Sequence, residues 1–229
     1  MISIKEAKLI ILEHSRKVPF EPIPLAMALG STLATDLYPH HPTIGYTRGS
    51  ELTDDAIGYL STLGLTEVQV FRQPTVGIIV AAKDLLPPGK AGAYGKVLES
   101  NSYALTAALK QNNITRINFY NAQDTVEGMT AVLREALKAN DVLILTCGMT
   151  VGCYGFVISA AEQAGIRQIF NKVRQKPGRP LYFGETDHQV VFGLPGNYAT
   201  VLNNFYAYVL PAIQKLSNFK SLIKKSRQV

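Results

Sequence analysis

The chain has 229 residues, 47% of them hydrophobic and 17% charged, with a formal net charge of +6. That profile belongs to a folded chain with a sizeable core and excludes a disordered or low-complexity one. The longest apolar runs, residues 75–82 and 142–145, are strand-sized and far below the roughly 20 residues that span a bilayer, so no transmembrane helix is expected.

The positive balance favours an anionic partner. Part of it sits in the tail, where Lys220, Lys224, Lys225 and Arg227 read as a solvated end. Aromatic residues are not interleaved with these cations as a base-stacking surface requires, so nucleic acid is not an expected partner, and with the tail solvated and no membrane-spanning run neither is a membrane. Lys5, Glu6 and Lys8 interrupt the apolar N-terminus, which is unlike a secretory signal and points to the cytoplasm. The two cysteines, Cys147 and Cys153, match no zinc spacing.

In chain order, Ser3 and Glu6 form a capping box ahead of an apolar-faced helix, and Pro24 and Gly30 frame a short second one. The region around Pro39, Pro42, Gly45 and Gly49 is irregular, with His40 and His41 as exposed loop residues, and Thr53 starts a helix ending near Gly64. From Glu67 onwards strands alternate with helices. Strands are predicted at 67–71, 76–81, 116–120, 142–146 and 168–173, with helices at about 102–112, 125–139 and 155–164. Asp124 and Glu127 form a capping-box-like start for the second of these helices.

Residues 181–183 and 190–193 read as a hairpin, and a long helix from Tyr198 to Leu216, bent by Pro211, closes the domain. The expected class is α/β: a mostly parallel sheet with helices on both faces, plus a small N-terminal helical and extended segment. The expected division is residues 1–72, 73–217 and a basic tail at 218–229.

Ligands of open parallel sheets bind beyond the carboxyl ends of the strands. The turn-rich segments 82–101, 146–156, 174–180 and 193–198 all fall there. KPGRP (176–180) sets two cations, Lys176 and Arg179, three residues apart on a chain stiffened by Pro177 and Pro180, a geometry suited to an oxyanion such as phosphate or molybdate. GLPGN (193–197) ends a strand and opens a helix, with Asn197 as cap and Gly196 in the turn; a plain turn and an anion-binding end both fit.

CGMTVG (147–152) is another strand-to-helix turn, and Gly148, Thr150 and Gly152 could cradle phosphate, although the loop fits neither the P-loop nor a dinucleotide fingerprint. ESNS (99–102) opens a helix. Ser100 or Ser102 caps it, or Ser100, Asn101 and Ser102 bond a polar ligand at the same rim.

Read in order, PLAMALGSTLATDLY, ESNSYAL, GMTVG, KPGRPLYFG and VFGLPGN closely resemble the molybdopterin molybdenumtransferase family, which includes MoeA and the gephyrin E domain. The resemblance extends up to about Leu216. It implies a homodimer and an α/β domain binding adenylylated molybdopterin and molybdate, with hydrolysis of the adenylate assisted by magnesium and insertion of molybdenum into the dithiolene. It further implies that Lys176, Pro177 and Arg179 form the molybdate- or phosphate-contacting corner, that Thr200 supplies a hydroxyl after the GLPGN turn, and that Gly148, Thr150 and Gly152 form a pterin-binding turn.

The departures matter as much. Between Tyr38 and Glu51, where the family usually inserts a further domain, only PHHPTIGYTRGS stands, and the usual C-terminal β domain does not follow the last long helix. Where the family commonly reads GDEL this chain has AKDL, so the first acid is Lys83 and Asp84 remains as the candidate catalytic residue. Two further family acids are Cys153 and Gly155, so the acidic ligands for a divalent cation are depleted. The resemblance therefore implies a pterin-phosphate binder with reduced catalytic competence. The alternatives are a non-catalytic dimeric pterin-binding or interaction scaffold, and a hydrolase of another phosphorylated ligand.

Overall fold

The run Val76–Ala81 (β3) is buried almost throughout, as a central strand of a parallel sheet must be. It lies between Ile117–Ala122 (β6) and Val142–Cys147 (β7), parallel to both. The computed structural model describes residues 1–37, 45–81, 85–86, 97–147 and 153–218. The chain divides into two units, residues 1–16 with 74–213, and residues 17–73 with 214–229.

In the first unit, helix α1 (Ile4–His14) begins at the predicted capping box, with Ser3 Oγ accepting from Glu6 N at 3.1 Å and Glu6 accepting from Ser3 N at 3.3 Å. Its elements continue with β3, the two-residue strands β4 (Leu85–Leu86) and β5 (Val97–Leu98), α3 (Asn101–Gln111), β6, α4 (Val126–Ala139) and β7. They end with α5 (Cys153–Gln163), β8 (Arg167–Lys172), β9 (Pro180–Glu185), β10 (Val190–Pro195), α6 (Tyr198–Asn204), a π-helical turn at Phe205–Val209 and the start of α7 (Leu210–Leu216), whose residues from Gln214 on fall in the second unit. The six-stranded sheet runs β6-β3-β7-β10-β9-β8; only β9 opposes its neighbours, forming the expected hairpin with β10. This is the mostly parallel α/β sheet that the sequence predicts.

Alternation along the strands explains the two covered faces. Ile79, Leu143, Leu145 and Val191 pack against Met129, Leu133 and Ala136 of α4 and Val157, Ala160 and Ala161 of α5. The alternate residues Ile78, Ile144 and Phe192 are fully buried on the other side, where α6 packs against β10 and α3. Phe183 stacks between Phe170 and Phe192 at centroid distances of 5.5 and 5.1 Å. Truncating Phe183 to alanine would cost about 3–5 kcal/mol, the usual loss for a fully buried aromatic.

Three local features differ from the sequence reading. The cap of α4 is Thr125, whose side chain accepts from Gly128 N at 3.1 Å, one residue later than Asp124. The last helix is interrupted before Pro211: the ring cannot donate to residue 207 and would strike its carbonyl, and the π turn at 205–209 absorbs the mismatch. Finally, residues 1–16 group with the α/β unit rather than with the rest of 1–72, because Ala7 and Ile11 are buried and Ile2 bridges to Val173.

In the second unit, β1 (Phe20–Pro24) pairs antiparallel with β2 (Glu67–Phe71). Strand β1 escapes sequence reading because its two prolines argue against a strand; they are tolerated in a two-stranded ribbon with an open edge. The Pro24–Gly30 segment is a 3₁₀ turn at Leu25–Met27, and α2 (Asp54–Thr62) is capped by Thr53 as expected. Leu25, Leu33, Leu52, Leu60 and Val70 form its core. His40 and His41 lie outside the described residues.

Candidate functional site

Strand register places four segments at one end of the sheet. Ala81 of β3 and Pro195 of β10 both align with Cys147 of β7, so the carboxyl ends of these strands are level. Strand β9 runs the other way, with Tyr182 opposite Gly193, so Pro180 and the loop before it sit at that same end. Residues 82–84 and 148–152 follow β3 and β7, and Lys83, Asp84, Gly148, Thr150 and Gly152 lie outside the described residues, as do the side chains of Cys147 and Cys153.

The turn after β10 is built as expected. Gly196 has φ +108°, a conformation that disfavours any side chain, and its missing Cβ would sit 3.4 Å from Cβ of Thr200. Asn197 caps α6, its side chain accepting from Thr200 N at 3.1 Å. Asn101 reaches across 95 residues and donates from Nδ2 to the Gly196 carbonyl at 3.3 Å, which ties the first turn of α3 to this turn.

The cap of α3 differs from expectation. Ser100 makes no capping bond and is exposed. Glu99 takes that role, accepting from Ser102 N at 2.8 Å and from the Ser102 hydroxyl, a carboxylate placed where the helix dipole favours it. Ser102 is thereby committed to Glu99, and Ser100 is left facing solvent.

Among the described residues, the buried polar atoms without a partner at this end include Asn101 Oδ1 and the hydroxyl of Thr146, a residue 1% exposed. Thr146 aligns with Leu194, two residues before Gly196. A buried acceptor or hydroxyl without a partner costs about 1–3 kcal/mol, so this pair favours a polar ligand, one that offers Asn101 Oδ1 a donor. Sequence reading missed Thr146; the signal was a hydroxyl closing an otherwise apolar strand.

Lys176, Pro177 and Arg179 are exposed on the loop before β9, the Lys176–Pro177 bond is cis, and Gly178 has φ +92°. No ion pair involves Lys176 or Arg179 among the described residues. The loop is fastened from beneath: Gln175 Nε2 donates to the Gly178 carbonyl at 2.8 Å and to Asn204 Oδ1 at 2.7 Å. An open groove of about 520 Å³ runs along α3, lined by Ser102, Tyr103, Thr106, Ala107, Lys110 and Phe119 of edge strand β6.

A second cluster lies at the opposite end of the sheet, where Glu185 pairs in register with Val190. Glu185 accepts from His14 Nδ1 at 2.8 Å and from Arg167 Nη2. Burial pushes its carboxyl up, but the hydrogen bonds and charges of His14 and Arg167 outweigh that and hold it below the ordinary glutamate range. Burial, with Glu162 nearby, pushes the Tyr182 hydroxyl up to about 12. Among the described residues no group of three or more His, Cys, Asp or Glu is placed to hold a metal ion, and no helix is long and apolar enough to cross a membrane.

Residues 77–215 match a family described as a probable molybdopterin binding domain. The chain belongs to that family. The chain is 33% identical over 175 residues to a molybdopterin molybdenumtransferase of Staphylococcus epidermidis, covering 76% of this chain and 42% of that protein. It is 32% identical over 168 residues to the molybdopterin molybdenumtransferase of Bacillus subtilis, covering 73% of this chain and 39% of the other. It thus spans about two fifths of the length of the curated relatives it matches.

Its fold is that of a molybdopterin biosynthesis MoeA protein from Pyrococcus horikoshii, with a TM-score of 0.78 at 17% identity over 96% of this chain and 81% of the other. A molybdenum cofactor biosynthesis protein from Pyrococcus furiosus gives 0.73 at 22% identity, over 97% and 74%. The chain is a MoeA-like member of the family.

Proposed function

We propose that the chain binds molybdopterin, in its adenylylated form, with molybdate or phosphate gripped by Lys176 and Arg179 and with the pterin over the 148–152 turn. The observation that carries this reading is the level rim: the Asn101-tied Gly196–Asn197 turn, the orphaned Thr146 hydroxyl and the 174–180 loop all meet at one end of one sheet. The fit to a pterin is chemical. Asn101 Oδ1 can only accept and wants the N–H groups that a pterin ring carries and an inorganic oxyanion lacks, while the Thr146 hydroxyl can donate to or accept from such a ring. Molybdopterin and molybdate are substrates, the cytoplasm is the compartment, and a homodimer is the assembly in this reading.

Catalysis is weak in this proposal, because Lys83, Cys153 and Gly155 stand where the resembling family has acids, leaving Asp84 alone to hold magnesium or orient water. The second reading, a non-catalytic pterin-binding scaffold, rests on the same replacement. Gly155 gives the means to separate them. It is exposed on the first turn of α5, and a Cβ there meets nothing within 4 Å. An acid at that position is therefore accommodated, and the helix dipole favours it.

Titration with adenylylated molybdopterin tests the site: no binding, or binding unchanged in Lys176→Ala, Arg179→Ala, sinks the proposal. Nucleoside monophosphate release tests the acids. The double variant Cys153→Asp, Gly155→Asp is expected to release it at least about tenfold faster than wild type, on the scale of one restored charge contact in a reacting site. A folded double variant that binds substrate but gains no activity favours the scaffold reading.

A further inference from the structure

Beneath the 174–180 loop lies a polar network that an ordinary α/β core would fill with apolar side chains. Asn204 and Tyr208, each 1% exposed, sit on successive turns of the last helix. The Tyr208 hydroxyl donates to Gln175 Oε1, while Gln175 Nε2 donates to both the Gly178 carbonyl and Asn204 Oδ1. Both hydrogens and the acceptor of the Gln175 amide are thereby used, and a flipped amide would set Oε1 against two other acceptors. Its orientation is fixed, and through the Gly178 carbonyl so is the loop.

The glycine is required twice over. Besides φ +92°, a Cβ on Gly178 would come within 2.6 Å of Gln175 Nε2 and 3.0 Å of Asn204 Oδ1. Asn204 Nδ2 lies 3.3 Å from that same point and has no partner among the described residues. Burying Asn204 and Tyr208, with Gln175 half-buried beside them, is costly unless they specify something. What they touch is the one backbone segment between Lys176 and Arg179. These cations are exposed, as are Pro177 and Pro180, so little packing from above restrains them.

We propose that Gln175, Asn204 and Tyr208 are positioning residues that hold Lys176 and Arg179 at the spacing that grips a tetrahedral oxyanion. The inference rests on the reading of this loop as the oxyanion corner. Two long cationic side chains lose rotamer freedom on gripping an anion, and a mobile backbone would add its own ordering cost. A network made before the ligand arrives removes that second cost.

The test measures sulfate affinity of the full chain by NMR titration, with thermal melts recording that each variant is folded. Sulfate stays a dianion between about pH 5 and 8, so it contributes no titration of its own. The variant Gln175→Met keeps the length of the side chain and removes its hydrogen bonds; Asn204→Leu does the same at the helix. Each is expected to bind about tenfold more weakly while remaining folded. In Gln175→Glu, the ionised carboxylate still accepts from Tyr208 but faces two acceptors, and protonation restores one donor. Its sulfate affinity is therefore expected to rise as the pH falls from about 8 to 5, with wild type flat over that range.

Wild-type affinity in all three folded variants, with no pH dependence in Gln175→Glu, overturns the positioning role while leaving the oxyanion corner standing. Unchanged sulfate affinity in Lys176→Ala, Arg179→Ala, or none in wild type, overturns the corner itself and this inference with it.

Discussion

Replacing Gly178 with alanine perturbs the loop at its most constrained point, and the cost follows from the geometry. At φ +92° an L-residue loses about 1–2 kcal/mol to backbone sterics. The new Cβ, 2.6 Å from Gln175 Nε2 and 3.0 Å from Asn204 Oδ1, meets atoms held by hydrogen bonds rather than free side-chain ends. Moving the Gln175 amide away breaks its two donations, each worth about 1 kcal/mol. The sum, about 3–4 kcal/mol, corresponds to a fall in Tm of roughly 8–12 °C for a unit of this size.

Gly165→Ala is the control, because Gly165 has φ +83° in the same unit but nothing within 4 Å of its Cβ. It should lose only the backbone cost, roughly 3–6 °C. Melts followed by circular dichroism measure both. Adding Gln175→Ala to Gly178→Ala makes room for the methyl group, so the pair should be less destabilised than the sum of the single variants by about 1–2 kcal/mol. Equal shifts for the two glycine variants, or strict additivity in the double variant, would refute the contact argument.

Two further outcomes are expected. Glu185 has a depressed carboxyl in the folded chain, so its stabilisation is fully present above the ordinary glutamate range and is lost as the pH falls through the folded value. The Tm of wild type should therefore drop more steeply below about pH 4 than that of Glu185→Gln, while at neutral pH the variant is less stable by about 1–3 kcal/mol, since its partners His14 and Arg167 lose their anion; parallel Tm–pH curves would contradict this. Asn197→Ala removes the cap of α6 and should cost about 1 kcal/mol, seen as a urea midpoint shift without a change in slope.

Where chemistry is local, the sequence was legible. The capping box at Ser3 and Glu6, the Asn197 cap, the strands Glu67–Phe71 and Val76–Ala81 and the turn glycines are each set by neighbours within a few residues. The convergence at the carboxyl rim was legible too, because strand-helix alternation dictates it. What escaped was chosen by a competing neighbour in one case and by a distant partner in the other. Glu99 displaced Ser100 as the cap because a carboxylate reaches both groups of Ser102; α1 joined the sheet unit through His14 and Glu185, 171 residues apart. No periodicity encodes such pairs.

The Gln175 network shows why the same segment looked simpler in sequence than it is. Two prolines and a glycine account for the shape of KPGRP, and stiffness alone would explain two well-placed cations. Yet prolines fix φ only at their own positions, and Gly178 is the residue they leave free to rotate. Its conformation is set by Gln175 from within the loop and by Asn204 and Tyr208 from 29 and 33 residues beyond Gln175. The cations belong to the loop, but their spacing belongs to the last helix, whose first turn is also tied through Gly196 to Asn101 of α3. One helix thus bears on both the 174–180 loop and the Gly196–Asn197 turn, and a change in its register would move the two together.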